Sequence, residues 1–256
     1  MKNGSMQLVL TTAALAVCGG VFAAQLPPTR DSGTTFVRDA LQPFVDSGEL
    51  HGGVSVYYDD GYEETACVGY ADLEAKRPTT LDCLYMPYSM TKGFCGVTVA
   101  MMIEDGRLNL DDPVSKFLRE FRTLWVEVSN TNDTRVLKKA KNVMTVRMVM
   151  NHMSGLPFDS PCSNRGWNHS MPLRSLAAEC AALPLKFEPG TGVQYSNLGI
   201  DVGAAVVEVL AKMPWEEYLD RRVFKPLGMT NTTFRPGEAM LANRLKIYRI
   251  GPGQTP

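Results

Sequence analysis

What this chain has little of already excludes much. Its 26 Lys and Arg nearly cancel its 27 Asp and Glu, and no run of five or six like charges occurs, so it offers no field to hold a polyanion and no nucleic-acid partner is expected. Only three histidines are present, none paired at metal spacing, and no two cysteines form C-x-x-C, so no metal site is expected. No internal repeat or low-complexity segment stands out. The longest apolar stretch, Leu8 to Ala24, runs for about 17 residues broken by Thr11, Thr12, Gly19 and Gly20, short of the roughly 20 that span a bilayer.

What is there is a globular balance, 45% hydrophobic and 21% charged over 256 residues, long enough to bury a core without metals or many disulfides. The N-terminus carries Lys2 and no acid, then the apolar stretch, then small residues at Val21 and Ala23, the pattern of a signal peptide cleaved after Ala23. The expectation is an exported chain, periplasmic or secreted. A retained anchor is the alternative, and Leu15-Ala16-Val17-Cys18-Gly19 has the outline of a lipoprotein box with Val17 in the place of a smaller residue. Once Cys18 is removed, Cys67, Cys83, Cys95, Cys162 and Cys180 remain, an odd number. Cys67 with Cys83 and Cys162 with Cys180 are candidate bridges, and Cys95, on an apolar helix face, reads as a small buried hydrophobe.

Hydropathy patterning predicts a helix from Thr34 to Ser47 and then an antiparallel hairpin, with Val54 to Tyr58 returning as Glu63 to Gly69 through Asp59-Asp60-Gly61. A helix follows from Ser89 to Asp105, its inner side Phe94, Val97, Thr98, Met101 and Met102. Asp112-Pro113 predicts a short helix to Phe121, residues 129–142 a loop or hairpin, and Thr145 the cap of a helix to about His152. Further helices are read at Leu173 to Leu183, Leu198 to Lys212 and Pro214 to Phe224, giving a strand-rich start and a helix-rich middle. His152 and His169 read as structural or surface residues. Trp125, Trp167 and Trp215 read as core or loop anchors.

Ser89-Met90-Thr91-Lys92 places a hydroxyl and an ammonium at i and i+3, one above the other at the start of a helix. The partial positive charge of a helix N-terminus favours an alkoxide there and disfavours a neighbouring cation. A lysine that acts as a base needs its pKa brought from about 10.4 toward 7 or 8, which burial and a helix end can supply. S-x-x-K alone is a weak signal, but Tyr195-Ser196-Asn197, the single Y-x-N of the chain, opens another helix after a loop containing Pro189 and Gly190. A phenol beside a lysine can share its proton, and an Asn amide can bind a substrate amide through donor and acceptor alike.

With these motifs the chain resembles the serine beta-lactamase-like superfamily, in the branch of class C beta-lactamases, D-alanyl-D-alanine peptidases and related esterases. The similarity runs from Gly52 to Phe234 and includes VGYADLEAKRP, MIEDGRLNLDDPVSKFLREF, TVRMVMNHMSGLP, FEPGTGVQYSNLGIDVGAAVVEVL and VFKPLGMTNTTF. The resemblance implies a beta-lactamase/transpeptidase-like fold, α/β plus all-α, two-lobed with the serine between the lobes. After a signal peptide over 1–23, residues 34–88 would open the α/β lobe, 89–235 would form the mostly helical lobe, and 236–256 would begin the return. It further implies Ser89 as the acylated nucleophile, Lys92 as its base or base partner, Tyr195 as proton relay, Asn197 as substrate and lysine contact, and the Ser89 N–H as one of two oxyanion donors. No cofactor is implied, and the substrate would be a small-molecule or peptidoglycan-like acyl compound: an ester, amide or beta-lactam.

The family's third motif, Lys or His then any residue then Gly, on a strand after Y-x-N, is not found. His51-Gly52-Gly53 has the letters but precedes the first strand. The chain is therefore expected to lack the C-terminal strands and helix of the sheet domain, as a gene fragment, a truncated reading or a protein completed by another chain. Losing one oxyanion donor costs about 100- to 1000-fold in rate, so a binding or interaction module without turnover is the alternative to the enzyme.

Overall fold

The computed structural model describes residues 36–59, 62–131, 133–159 and 171–248. The expected signal segment, Cys162 with its candidate bridge to Cys180, Trp167 and His169 lie outside the described residues. The chain divides into two compact units, one of Met1–Leu84 with Ala242–Pro256, the other of Tyr85–Leu241.

In the first unit, α1 (Phe36–Asp46) precedes an antiparallel sheet of β1 (Gly52–Asp59), β2 (Tyr62–Asp72) and β3 (Arg77–Pro78), with β2 central. The hairpin register pairs Gly52 with Gly69 and Asp59 with Tyr62. Glu64, Ala66 and Val68 are buried at alternate positions of β2, as a strand with one covered face requires. The buried Glu64 is not an anomaly, because its Oε1 accepts from Val37 N–H at 2.8 Å, one of the amides at the start of α1 that have no partner within the helix. Residues 243–248 close this unit: Leu84 N–H donates to Asn243 O, Lys246 N–H donates to Ala71 O, and Lys246 Nζ bridges Asp72 and Glu74.

The second unit is built around α5 (Asn197–Ala211), of which every residue from Leu198 to Val207 except Asp201 is buried. A helix apolar on almost all sides belongs in a core. Packed about it are α2 (Thr91–Glu104), α3 (Val146–Met150), α4 (Leu173–Ala182) and α6 (Trp215–Leu219), the last continuing into a wider turn over Asp220–Phe224. Gly199 lets α3 and α5 approach, since a Cβ there would stand 2.9 Å from Val149 O. Trp215 Nε1 donates to buried Thr98 Oγ1 at 3.0 Å, so the ring is a core anchor with its polar edge satisfied. The hairpin of β4 (Trp125–Asn130) and β5 (Arg135–Lys139) lies within this unit, and α7 (Glu238–Ala242) lies in it as far as Leu241.

Three expectations are corrected. Residues 113–121 form no α-helix, only 3-10 turns at Val114–Lys116 and Arg119–Arg122. Pro113 is extended at ψ 132°, and the backbone bonds instead to the segment before α3, with Val114 N–H to Met144 O and Val146 N–H to Asp112 O. On α2 the buried residues are Cys95, Thr98, Val99 and Met102, with Phe94 and Met101 partly buried against the core, whereas Val97 is 46% exposed. Cys67 and Cys83 are free thiols rather than a bridge; Cys83 Sγ accepts from Thr80 N–H at 3.4 Å and from Arg77 Nη1 at 3.7 Å. Cys95 is wholly buried, and that burial pushes its thiol up to about 12.

Candidate active site

Ser89 sits in a 3-10 turn, Tyr88–Met90, that runs directly into α2, with Met90 N–H bonded to Pro87 O at 3.0 Å. Tyr88 enters the turn at φ 45°, a left-handed backbone that costs a bulky residue about 1–3 kcal/mol and marks sites where geometry is held under strain. The consequence is an exposed hydroxyl one helical turn before Lys92, whose Nζ donates to Ser89 Oγ at 3.0 Å. Lys92 Nζ also donates to Asn197 Oδ1 at 2.8 Å and lies 4.7 Å from the centre of the Tyr195 ring. A 2.8 Å hydrogen bond joins Tyr195 OH to Ser89 Oγ. All four residues that the two motifs single out are thus brought together, within one unit.

Tyr195 and Asn197 are delivered by the start of α5. Ser196 is its cap: Ser196 Oγ accepts from Gly199 N–H at 3.0 Å and donates to Pro157 O at 2.7 Å. The segment 152–159 holds this entry to the helix along its length. His152 O accepts from Gln194 N–H at 2.9 Å, His152 Nδ1 from Ser196 N–H at 3.2 Å, and Phe158 O from Asn197 N–H at 3.0 Å. Gly155 allows the segment to bend, with φ 78° and no room for a Cβ, which would meet Phe187 O at 2.4 Å. Asp159 Oδ1 accepts from Asn197 Nδ2 at 2.9 Å. That bond fixes the amide with its oxygen toward Lys92.

The Lys92 cation organises the electrostatics. Hydrogen bonding with Lys92 and then with Ser89 holds the Tyr195 phenol below its ordinary pKa, against a smaller opposing effect of burial. Burial, then the nearby Lys92 charge, lowers the His152 imidazole. Asp201, one turn beyond Asn197 on α5, is pushed up to about 6 by burial, partly countered by Lys92. A hydroxyl in contact with both an amine and an acidified phenol has two routes by which a proton can move. Among the described residues no three His, Cys, Asp or Glu stand together to hold a metal, and no helix is long and apolar enough to cross a membrane.

Two residues of this site carry no motif. His152 read as structural or surface, and Asp159 went unmarked. Their contacts, 44 and 38 residues away in sequence, follow no periodicity that spacing could show.

The mixed α/β fold and the Ser-Lys-Tyr cluster define the serine beta-lactamase-like superfamily. A family model described as Beta-lactamase matches residues 37–255, and the chain belongs to that family. Among similar proteins are the esterase EstB of Burkholderia gladioli, 33% identical over 181 residues, 66% of this chain and 43% of EstB, and Protein flp of Staphylococcus aureus (strain MRSA252), 27% identical over 204 residues, 78% of this chain and 36% of flp. Of solved structures, EstCE1, a hydrolase with promiscuous acyltransferase activity, matches with TM-score 0.67 at 27% identity, over 82% of this chain and 54% of its own. Simvastatin synthase (LovD) from Aspergillus terreus shares the fold, with TM-score 0.69 at 24% identity, over 84% of this chain and 58% of its own. The chain spans less than half the length of these two curated relatives and somewhat more than half of these solved structures.

Proposed function

We propose that this chain carries the nucleophilic centre of an exported serine hydrolase that forms an acyl-enzyme on Ser89, with carboxylic esters as its first substrate class. The observation that carries the reading is the position of Ser89 Oγ, 3.0 Å from Lys92 Nζ and 2.8 Å from Tyr195 OH. Once the Lys92–Tyr195 pair has released one proton to solvent, Ser89 gives its own proton to the pair as Oγ bonds to the carbonyl carbon, and the resulting oxyanion is met by the Ser89 N–H. The carbon–oxygen bond to the leaving alkoxide then breaks as Tyr195 returns the proton to it. Water repeats the sequence and releases the acid. Asn197 holds Lys92 and meets the substrate, and residues 1–23 direct export.

Esters are placed ahead of amides and beta-lactams because EstB is an esterase and EstCE1 a hydrolase with acyltransferase activity. Turnover of matched aryl ester, peptide and beta-lactam substrates by the purified chain, against Ser89→Ala, tests this order. Ester cleavage that the alanine variant lacks supports the reading. Cleavage that survives in that variant contradicts the assignment of Ser89.

A further inference from the structure

We propose that His152 is a positioning residue for Tyr195: as a neutral imidazole, it uses its ring nitrogen and its own carbonyl to clamp residues 194–196 and so keep the phenol on Ser89 Oγ. This rests on the reading of Ser89 as nucleophile and Tyr195 as proton relay. Three contacts from one residue converge on the segment. His152 O accepts from Gln194 N–H at 2.9 Å on one side of Tyr195, Nδ1 accepts from Ser196 N–H at 3.2 Å on the other, and the imidazole lies 4.6 Å from the Tyr195 ring, tilted by 38°. His152 adopts φ 64°, a backbone that side chains rarely take and that here lets carbonyl and ring engage the same segment.

The Ser196 bond requires Nδ1 to be unprotonated. An imidazolium carries N–H at both nitrogens and would meet the Ser196 amide donor to donor. The charged and titratable groups facing the ring are the Lys92 ammonium at the start of α2 and the Tyr195 phenol ahead of α5. Burial opposes a positive charge on the ring, as does the Lys92 charge, so the clamp stays closed at neutral pH and opens on the acid side of the ordinary histidine range.

The test measures the pH dependence of Ser89 acylation by an active-ester probe in the parent, His152→Asn and His152→Leu, with circular dichroism to check folding. Asn places an oxygen acceptor where Nδ1 stands, tolerates the left-handed backbone and does not titrate. The ratio of parent to Asn-variant rates should be flat above neutrality, fall by about tenfold per pH unit below the histidine midpoint and level off once the loss reaches about 10- to 100-fold. His152→Leu should lose about 10- to 100-fold in acylation rate at unchanged probe affinity. A ratio that stays flat throughout, or a folded Leu variant that acylates at the parental rate, overturns the proposal. If the parent takes no label, it is the nucleophile assignment that fails. The clamp is then read from Tyr195 ionisation by ultraviolet difference absorbance against Tyr195→Phe. A Tyr195 midpoint higher in the Leu variant, or in the Asn variant at acid pH should the Leu variant not fold, supports the clamp; an unmoved midpoint overturns it.

Discussion

Ser89 and Lys92 stand three residues apart where a 3-10 turn enters α2, and helix geometry alone brings Nζ to 3.0 Å from Oγ. Tyr195 and Asn197 lie more than a hundred residues on, and they meet the same two atoms through a cap, Ser196, and a loop, 152–159, whose backbone and side chains grip both ends of the tripeptide. One side of the site is set by local spacing, the other by long-range hydrogen bonds. The helix-built side therefore tolerates changes outside its two polar residues, while the loop-held side depends on residues that never touch the serine.

Breaking either side directly gives the largest effects. Lys92→Ala should reduce Ser89 acylation by about 1000-fold or more and Tyr195→Phe by about 100-fold, with little change in probe affinity, as removal of a positioned proton acceptor does. Stopped-flow labelling rates check both. Asp201 comes next, because it sits beside Lys92, where the two sides meet. Its carboxyl, raised to about 6, adds to stability only while protonated: the contribution is complete below about pH 4 and is lost as pH rises past about 6. Asp201→Asn stays neutral throughout, so it should exceed the parent by about 1–2 kcal/mol in urea unfolding at neutral pH, with the gap closing toward pH 4.

A smaller effect isolates the loop-held side. Ser196→Ala removes the α5 cap and the bond to Pro157 O, and should cost about 1 kcal/mol by thermal denaturation. Because that bond also anchors Tyr195, the acylation rate should fall in the same variant even where it remains fully folded. The smallest change is expected on the outer face of α2. Val97, 46% exposed, should tolerate Ser with less than about 0.5 kcal/mol lost and an unaltered labelling rate.

The same contrast decides what the sequence disclosed. α4 and α5 were legible because apolar patterning is local, α2 was legible as a helix although Val97 was placed on the wrong side, and the two motifs were legible because S-x-x-K and Y-x-N are short. Residues 113–121 misled because Asp112-Pro113 carries helix-start chemistry while the backbone finds better partners at 144–146, a pairing no local pattern announces. The Cys67–Cys83 pairing rested on spacing, which says nothing of the direction of either thiol. His152, read as structural or surface, and Asp159 give no sequence signal of a place at the site for that reason too: their partners lie far along the chain, His152 accepting from Gln194 N–H and Ser196 N–H and Asp159 from the Asn197 side chain.

The central claim is that Ser89 is an activated nucleophile. Its most direct test is the intact mass of the 256-residue chain before and after a fluorophosphonate probe, beside Ser89→Ala. One added probe mass is expected on the parent, mapped to Ser89, and none on the alanine variant. A folded parent of unchanged mass, or an adduct that persists in the variant, would contradict it.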